Sequence, residues 1–369
     1  MDKKTNNWQI KKLEDLLDYI QPTKYIVKST DYSENYNIPV LTAGKSFILG
    51  KTNETEGIFE NVPVIIFDDF TTANKLVNFK FKVKSSAMKI LKPKNEDVNL
   101  LFVYYYMQTL RISFDTHKRY WISVFSKLPI PLPDSETQHA IVSKIEELFS
   151  ELDKGIAELK TAQQQLKTYR QSVLKSAFEG KLTNDNVKEG ELPEGWKLKN
   201  LGEIFKVSSG KGIKINQLKG GDYCVYGGNG LNGYHSEYFI EESVLIIGRV
   251  GVKCGVTHIT KPKGWVSDNA LIVKPIIEDF DIKFFKLRLE FENLNKLSVS
   301  TAQPVISGNS IYSVQVFLPK LEEQYRIVQE IESRLSVADK MEQSIQESLQ
   351  KAEALRQSIL KKAFCGELV

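Results

Sequence analysis

The sequence predicts an α+β protein made of two related globular domains, each followed by a related long helix. Three observations predict it. A gapless internal repeat joins 135–183 to 321–369 at a constant offset of 186. In both copies apolar residues return every seven positions, the period of a left-handed coiled-coil seam. Outside the copies, short apolar runs bounded by glycine and proline read as buried strands.

The repeat carries many identities: Gln138/Gln324, Ile141-Val142/Ile327-Val328, Ile145-Glu146/Ile331-Glu332 and Asp153-Lys154/Asp339-Lys340. Arg170-Gln171-Ser172/Arg356-Gln357-Ser358, Ala177-Phe178/Ala363-Phe364, Gly180/Gly366 and Leu182/Leu368 complete it. The first seam is Ile145, Leu152, Leu159, Leu166 and Val173, joined by Leu148, Ala162 and Tyr169. The second is Ile331, Ala338, Ile345, Ala352 and Ile359, joined by Met341 and Leu355. Each helix starts after proline (Pro133, Pro319) and stops at Phe-x-Gly-x-Leu, where glycine ends a helix. About 40 residues of helix span roughly 60 Å.

The domains repeat more faintly. Trp8-Gln9-Ile10-Lys11-Lys12-Leu13 matches Trp196-Lys197-Leu198-Lys199-Asn200-Leu201. Val64-Ile65-Ile66-Phe67 and Val244-Leu245-Ile246-Ile247 read as equivalent buried strands, as do the runs at 87–93 and 270–275. The expected segments are a first domain at 1–134, a helix at 135–183, a linker at 184–192, a second domain at 193–320 and a helix at 321–369. This connectivity suits antiparallel pairing of the helices, with an internal pseudo-two-fold repeat and a domain at each end of a rod.

Composition excludes several classes. The chain has 369 residues, 41% hydrophobic and 26% charged, with no apolar run near the roughly 20 needed to cross a bilayer. Cys224, Cys254 and Cys365 form no CxxC pair, which argues against a zinc ribbon or disulfide framework and for a cytoplasmic address. The net charge of +4 is unevenly spread. Residues 1–134 hold 19 Lys and Arg against 15 Asp and Glu, and residues 193–320 hold 16 against 12. Residues 135–192 and 321–369 are each acidic by two, 8 against 10 and 7 against 9. Two basic heads on a pseudo-symmetric rod suit a nucleic-acid duplex.

Over essentially its whole length the sequence resembles type I restriction–modification specificity subunits. The matching residues are Leu192-Pro193-Glu194-Gly195-Trp196, Leu201-Gly202-Glu203-Ile204 and Ala302-Gln303-Pro304-Val305-Ile306-Ser307-Gly308. Leu318-Pro319-x-x-Glu322-x-Gln324-x-x-Ile327-Val328 and Arg356-Gln357-Ser358-Ile359-Leu360-x-x-Ala363-Phe364-x-Gly366-x-Leu368 extend the match. The first domain departs from the pattern, with no Pro-Glu-Gly before Trp8 and no Gln-Pro turn. The resemblance implies mixed α/β target-recognition domains, each reading one half of a bipartite double-stranded DNA site. It implies paired helices that set the spacer and dock two copies of a methyltransferase subunit, with Phe178, Leu182, Phe364 and Leu368 as candidate contacts. No cofactor is expected in this chain. S-adenosylmethionine, ATP and Mg belong on the methyltransferase and on motor–nuclease partners.

No catalytic motif competes with this reading. Gly44-Lys45-Ser46 lacks the earlier glycine of a phosphate loop, because Pro39 stands there. Gly228-Asn229-Gly230-Leu231-Asn232-Gly233 spells GxGxxG but leads into a segment without helical period, so it reads as a turn. No Asn/Asp-Pro-Pro-aromatic loop occurs. The four histidines are isolated, and Asp281-Ile282-Lys283 lacks an upstream acidic partner, so it reads as a solvated strand or helix edge. The chain is therefore expected to be non-enzymatic; a stand-alone methyltransferase or nuclease and a coiled-coil scaffold are the rival readings. DNA contacts are expected from loops bearing Lys, Arg, Asn or Thr, which reach phosphates and base edges. The candidates are Lys45, Thr71, Thr72, Lys75, Lys118 and Arg119 in the first domain. In the second they are Lys211, Lys214, Asn229, Asn232, Arg249 and Lys253. Arg249 follows a buried run and lies between Gly248 and Gly251, so it should be displayed. Asp68 and Asp69 either accept from a cytosine amine or cap a turn.

Overall fold

The computed structural model describes residues 8–43, 46–111, 119–184, 186–188, 191–214, 218, 220–251, 253–298 and 304–369. The chain divides into two compact units, Met1–Lys160 with Gln346–Val369, and Thr161–Ile345.

In unit 1 the strands and helices run β1 (Gln9–Lys12), α1 (Leu13–Leu16), β2 (Leu17–Ile20), β3 (Ile38–Leu41), β4 (Ile48–Thr52), β5 (Val64–Asp68), β6 (Asn74–Val77), β7 (Lys82–Val83), β8 (Met88–Pro93), α2 (Leu100–Met107), α3 (Tyr120–Ser123) and β9 (Pro129–Leu132). The long helix α4 (Ser135–Phe178) follows. A four-stranded sheet has the order β2-β8-β5-β6, a three-stranded one β4-β3-β7, and β1 pairs with β9. β5 is buried along its whole length, which is why Val64–Phe67 show no alternation.

Unit 2 repeats this order element for element. It runs β10 (Lys197–Asn200), α5 (Leu201–Ile204), β11 (Phe205–Ser209), β12 (Tyr223–Gly227), β13 (Gly230–His235), β14 (Leu245–Gly248), β15 (Thr257–Ile259), β16 (Trp265–Val266), β17 (Ala270–Pro275), α6 (Ile282–Glu292), α7 (Gly308–Tyr312) and β18 (Gln315–Leu318), then the long α8 (Leu321–Phe364). The sheets are β11-β17-β14-β15, β13-β12-β16 and β10-β18. Even the register irregularity recurs, between Val40 and Leu41 on β3 and between Val225 and Tyr226 on β12. The repeat read from the helices thus extends to both domains, which are of mixed α/β type.

Each long helix has 44 residues and contributes to both units. In unit 1, Ile141, Val142 and Ile145 of α4 share a core with Ile359, Leu360 and Ala363 of α8. In unit 2, Val173, Ala177 and Phe178 of α4 share one with Ile327, Val328 and Ile331 of α8. The end of α4 thus meets the beginning of α8, so the pairing within each unit is antiparallel. The seam is narrower than the sequence suggests. Ile331, Ala338, Ile345, Ala352 and Ile359 are buried, but Tyr169, Met341 and Leu355 are exposed. Two helices alone bury one stripe of each, and the flanking positions face outward.

A buried glutamine anchors each long helix to its unit. The Gln138 amide accepts from Asn99 N at 2.9 Å and donates to the carbonyls of Pro133 and Asp97 at 3.0 and 3.2 Å. Gln324 accepts from Asp281 N at 2.9 Å and donates to Pro319 and Asp279 at 3.1 and 2.9 Å. Asn99 and Asp281 are themselves the capping residues of α2 and α6. At the far ends Gly180 (φ 78°) and Gly366 (φ 72°) take the left-handed conformation that terminates a helix. Lys181 N donates to Ser176 O, and Glu367 N to Lys362 O, in the same six-to-one closure.

Candidate nucleic-acid interface

In unit 2 several predicted side chains gather at one end of the four-stranded sheet. Arg249 follows β14 directly. Its backbone is fixed on both sides: its N–H donates to Asn269 O, and its carbonyl accepts from Ile306 N, both at 2.9 Å. The buried Cys254 thiol also donates to that carbonyl at 3.2 Å. The Arg249 guanidinium makes a single long bond among the described residues, 3.4 Å to Ser209 Oγ at the end of β11. With five donors on the group, most of its capacity is unspent.

The β12–β13 turn closes on this loop. A side chain at Gly248 would come within 2.5 Å of Gly228 O, and one at Gly228 within 2.9 Å of Asn269 O. Only glycine permits that approach, and it sets the exposed Asn229 beside the Arg249 loop. The GxGxxG run is therefore a hairpin turn with no helix after it. Asn232 is exposed on β13. Lys253 is exposed in the loop that Arg249 begins. Lys211, also exposed, follows β11; its N–H donates to Val266 O at 2.8 Å and its ammonium lies 4.4 Å from the Phe239 ring centre. Lys214 is exposed three residues on. This end of the sheet thus offers cations, amides and hydroxyls on tightly bonded backbone, the equipment for phosphate and base-edge contacts.

The corresponding loop of unit 1 is built differently. Asp69 occupies the place of Arg249: its N–H donates to Ala87 O at 3.0 Å and its carbonyl accepts from Tyr120 N at 2.9 Å. Its side chain turns inward, accepts from Trp121 N at 2.8 Å and pairs with the buried Lys89 at 3.6 Å. Asp68 is buried as well and caps the β5–β6 turn, accepting from Phe70 N at 3.0 Å and from the Thr71 hydroxyl. Of the two readings of these acids, the turn-capping one fits Asp68, and neither side chain is presented to a ligand. Thr71 is exposed, and Thr72 is half-buried with φ 57°. Lys75 on β6 lies 4.5 Å from the Phe47 ring centre. Arg119 is exposed and adjoins Tyr120, which is bonded to the same loop. Lys45 and Lys118 lie outside the described residues. Phe70, at the tip of the turn and 47% exposed, escaped the sequence reading because an apolar residue between acids and threonines carries no polar signature.

The residues proposed to contact a partner chain serve their own units. Phe178 is 2% exposed and packs on Phe284, Phe291 and the Arg288 guanidinium. Phe364 packs edge-on against Phe102 and Tyr106, while Leu182 and Leu368 lie half-buried against the two cores. Asp281 caps α6 through Phe284 N at 2.7 Å, and Lys283 pairs with Glu332, a solvated helix edge. Among the described residues no group of His, Cys, Asp and Glu is arranged to hold a metal ion. No helix among them is long and apolar enough to cross a membrane.

The two topologically identical units have counterparts among known proteins. The type I restriction modification DNA specificity domain model matches residues 5–161 and 193–351. The chain belongs to this family. It is 36% identical to the type I restriction enzyme EcoR124I/EcoR124II specificity subunit of Escherichia coli, over 94% of this chain and 90% of that one. It is 24% identical to the MjaVIII specificity subunit of Methanocaldococcus jannaschii, over 89% and 86%. In fold it matches a solved structure described as underlying complex assembly and conformational transition of the type I R-M system, with TM-score 0.75 at 18% identity over all of both chains. The chain is a type I specificity subunit: a non-catalytic, DNA-recognising component of a restriction–modification complex.

Proposed function

We propose that each unit reads one half of a bipartite DNA site through the loop end of its four-stranded sheet, and that Arg249 contacts guanine in the half read by unit 2. The observation that carries this is the convergence of Arg249, Asn229, Lys253 and Ser209 on one rigid loop cluster, with the guanidinium's donors largely uncommitted. Arginine meets the O6 and N7 edge of guanine with two bonds, whereas asparagine suits the N6 and N7 edge of adenine. Lys211, Lys214, Asn232, Lys75, Arg119, Thr71 and Thr72 then serve phosphates and neighbouring bases, as do Lys45 and Lys118. The paired helices set the unread spacer. Two copies of a methyltransferase subunit bind the chain in the cytoplasm, bringing S-adenosylmethionine, and motor–nuclease subunits bring ATP and Mg.

The test is methylation mapping in cells carrying the full complex, with Arg249→Ala against the natural chain. The expected result is relaxed choice of base at one position of one half-site, at a cost of about 1–3 kcal/mol, with the other half intact. An equal loss on all sequences with a shallower salt dependence makes Arg249 a phosphate contact instead. An unchanged map removes it from the interface.

A further inference from the structure

The two equivalent loops present opposite chemistry at the same place. In unit 2 the loop displays a guanidinium. In unit 1 both acids are withdrawn, and the outward groups of the turn are the Phe70 ring and the Thr71 side chain. The turn is held on every side: Phe70 N and the Thr71 hydroxyl donate to the Asp68 carboxylate, Thr72 N donates to Asp68 O, and Asp68 N donates to Ala73 O. Tyr120 N and Trp121 N fasten the preceding Asp69 from the α3 side, so Arg119 stands beside the turn. The Phe70 ring is 47% exposed on this rigid mount, one residue beyond the place of Arg249.

We propose that Phe70 is a specificity-determining residue that reads the C5-methyl group of a thymine in the major groove, in the half-site taken by unit 1. The inference rests on the reading that unit 1 meets DNA through this end of its sheet. The thymine methyl is the one apolar group that a base pair presents in the major groove, and apolar side chains such as phenylalanine contact it. Arg119 supplies the phosphate anchor that holds such a turn in register. The two domains therefore read by different means: a hydrogen-bonding fork in one, an apolar surface in the other.

The experiment uses the full chain assembled with its methyltransferase, on a duplex whose half-sites are defined by mapping methylated adenines. Uracil, which lacks the methyl group, replaces each thymine of the unit 1 half in turn. The natural complex should lose roughly fivefold in affinity at one thymine, the size of one base contact. Phe70→Ala should lose the same on the natural duplex and become insensitive to uracil there, while Phe70→Leu retains part of the discrimination. A natural complex that discriminates this half-site but is untouched by Phe70→Ala overturns the inference alone. So does an equal loss on every duplex with uracil sensitivity intact, which marks a wedge or a general surface contact. A natural complex indifferent to every change in that half-site overturns the reading of unit 1 and this inference together.

Discussion

At the scale of single residues, His258 links the β12–β13 turn to pH. Burial, reinforced by the Lys286 charge, holds its imidazole below its ordinary value. A side chain at Gly230 would lie 3.1 Å from its ring, so His258 lies under the β12–β13 turn that carries Asn229. Because the folded value lies below that of the unfolded chain, the unfolded chain takes up the proton first as pH falls. Stability should therefore decline once pH drops below about 6.5, and not above it. Urea midpoints between pH 8 and 5 check this: His258→Gln should flatten the decline, and identical slopes for variant and natural chain would sink it.

At the scale of elements, the long helices show which parts of a motif carry stability. Arg170 reaches Asp339 and Glu342 at 2.6 and 2.9 Å, and the repeat-related Arg356 bonds to Asp153. These acids are largely solvated, so each pair is worth about 0–1 kcal/mol and chiefly fixes how the helices align. Ile331 is fully buried in the unit 2 core. Denaturant unfolding should show Ile331→Ala costing about 2–5 kcal/mol and Arg170→Ala under about 1; a reversed order would mean that the charges, not the seam, hold the pair. The helices and β5, β8, β14 and β17 were legible in the sequence because long period and unbroken apolarity are local signals. The three-stranded sheets were not, since β3–β7 and β12–β16 pair in parallel across intervening strands and short partners of two residues. Arg249 was legible from its flanking glycines; the inward turn of Asp69 was not, because its partner Lys89 is set by the fold and lies on another strand.

At the scale of the molecule, both long helices run through both units. If they set the spacer, adding a heptad to each at facing positions keeps the seam in register with about 20° of rotation and lengthens each by about 10 Å. That is about three base pairs at roughly 3.4 Å each. Methylation mapping should return the same half-site letters across a wider gap, whereas changed letters across an unchanged gap would refute the measure.

The place shared by Asp69 and Arg249 also bears on how such a chain diverges. In unit 2 the loop is secured by the backbone of residue 249, not by its side chain, and main-chain bonds are indifferent to which amino acid supplies them. A substitution there leaves the main-chain bonds in place, so if residue 249 contacts a base, it can change the base selected at almost no cost to folding. In unit 1 the same place is frozen, because the Asp69 carboxylate is tied to Trp121 and Lys89. If these loops read DNA, drift in preference is open to a single codon in one half of the molecule, while the other half must vary one step further along the turn.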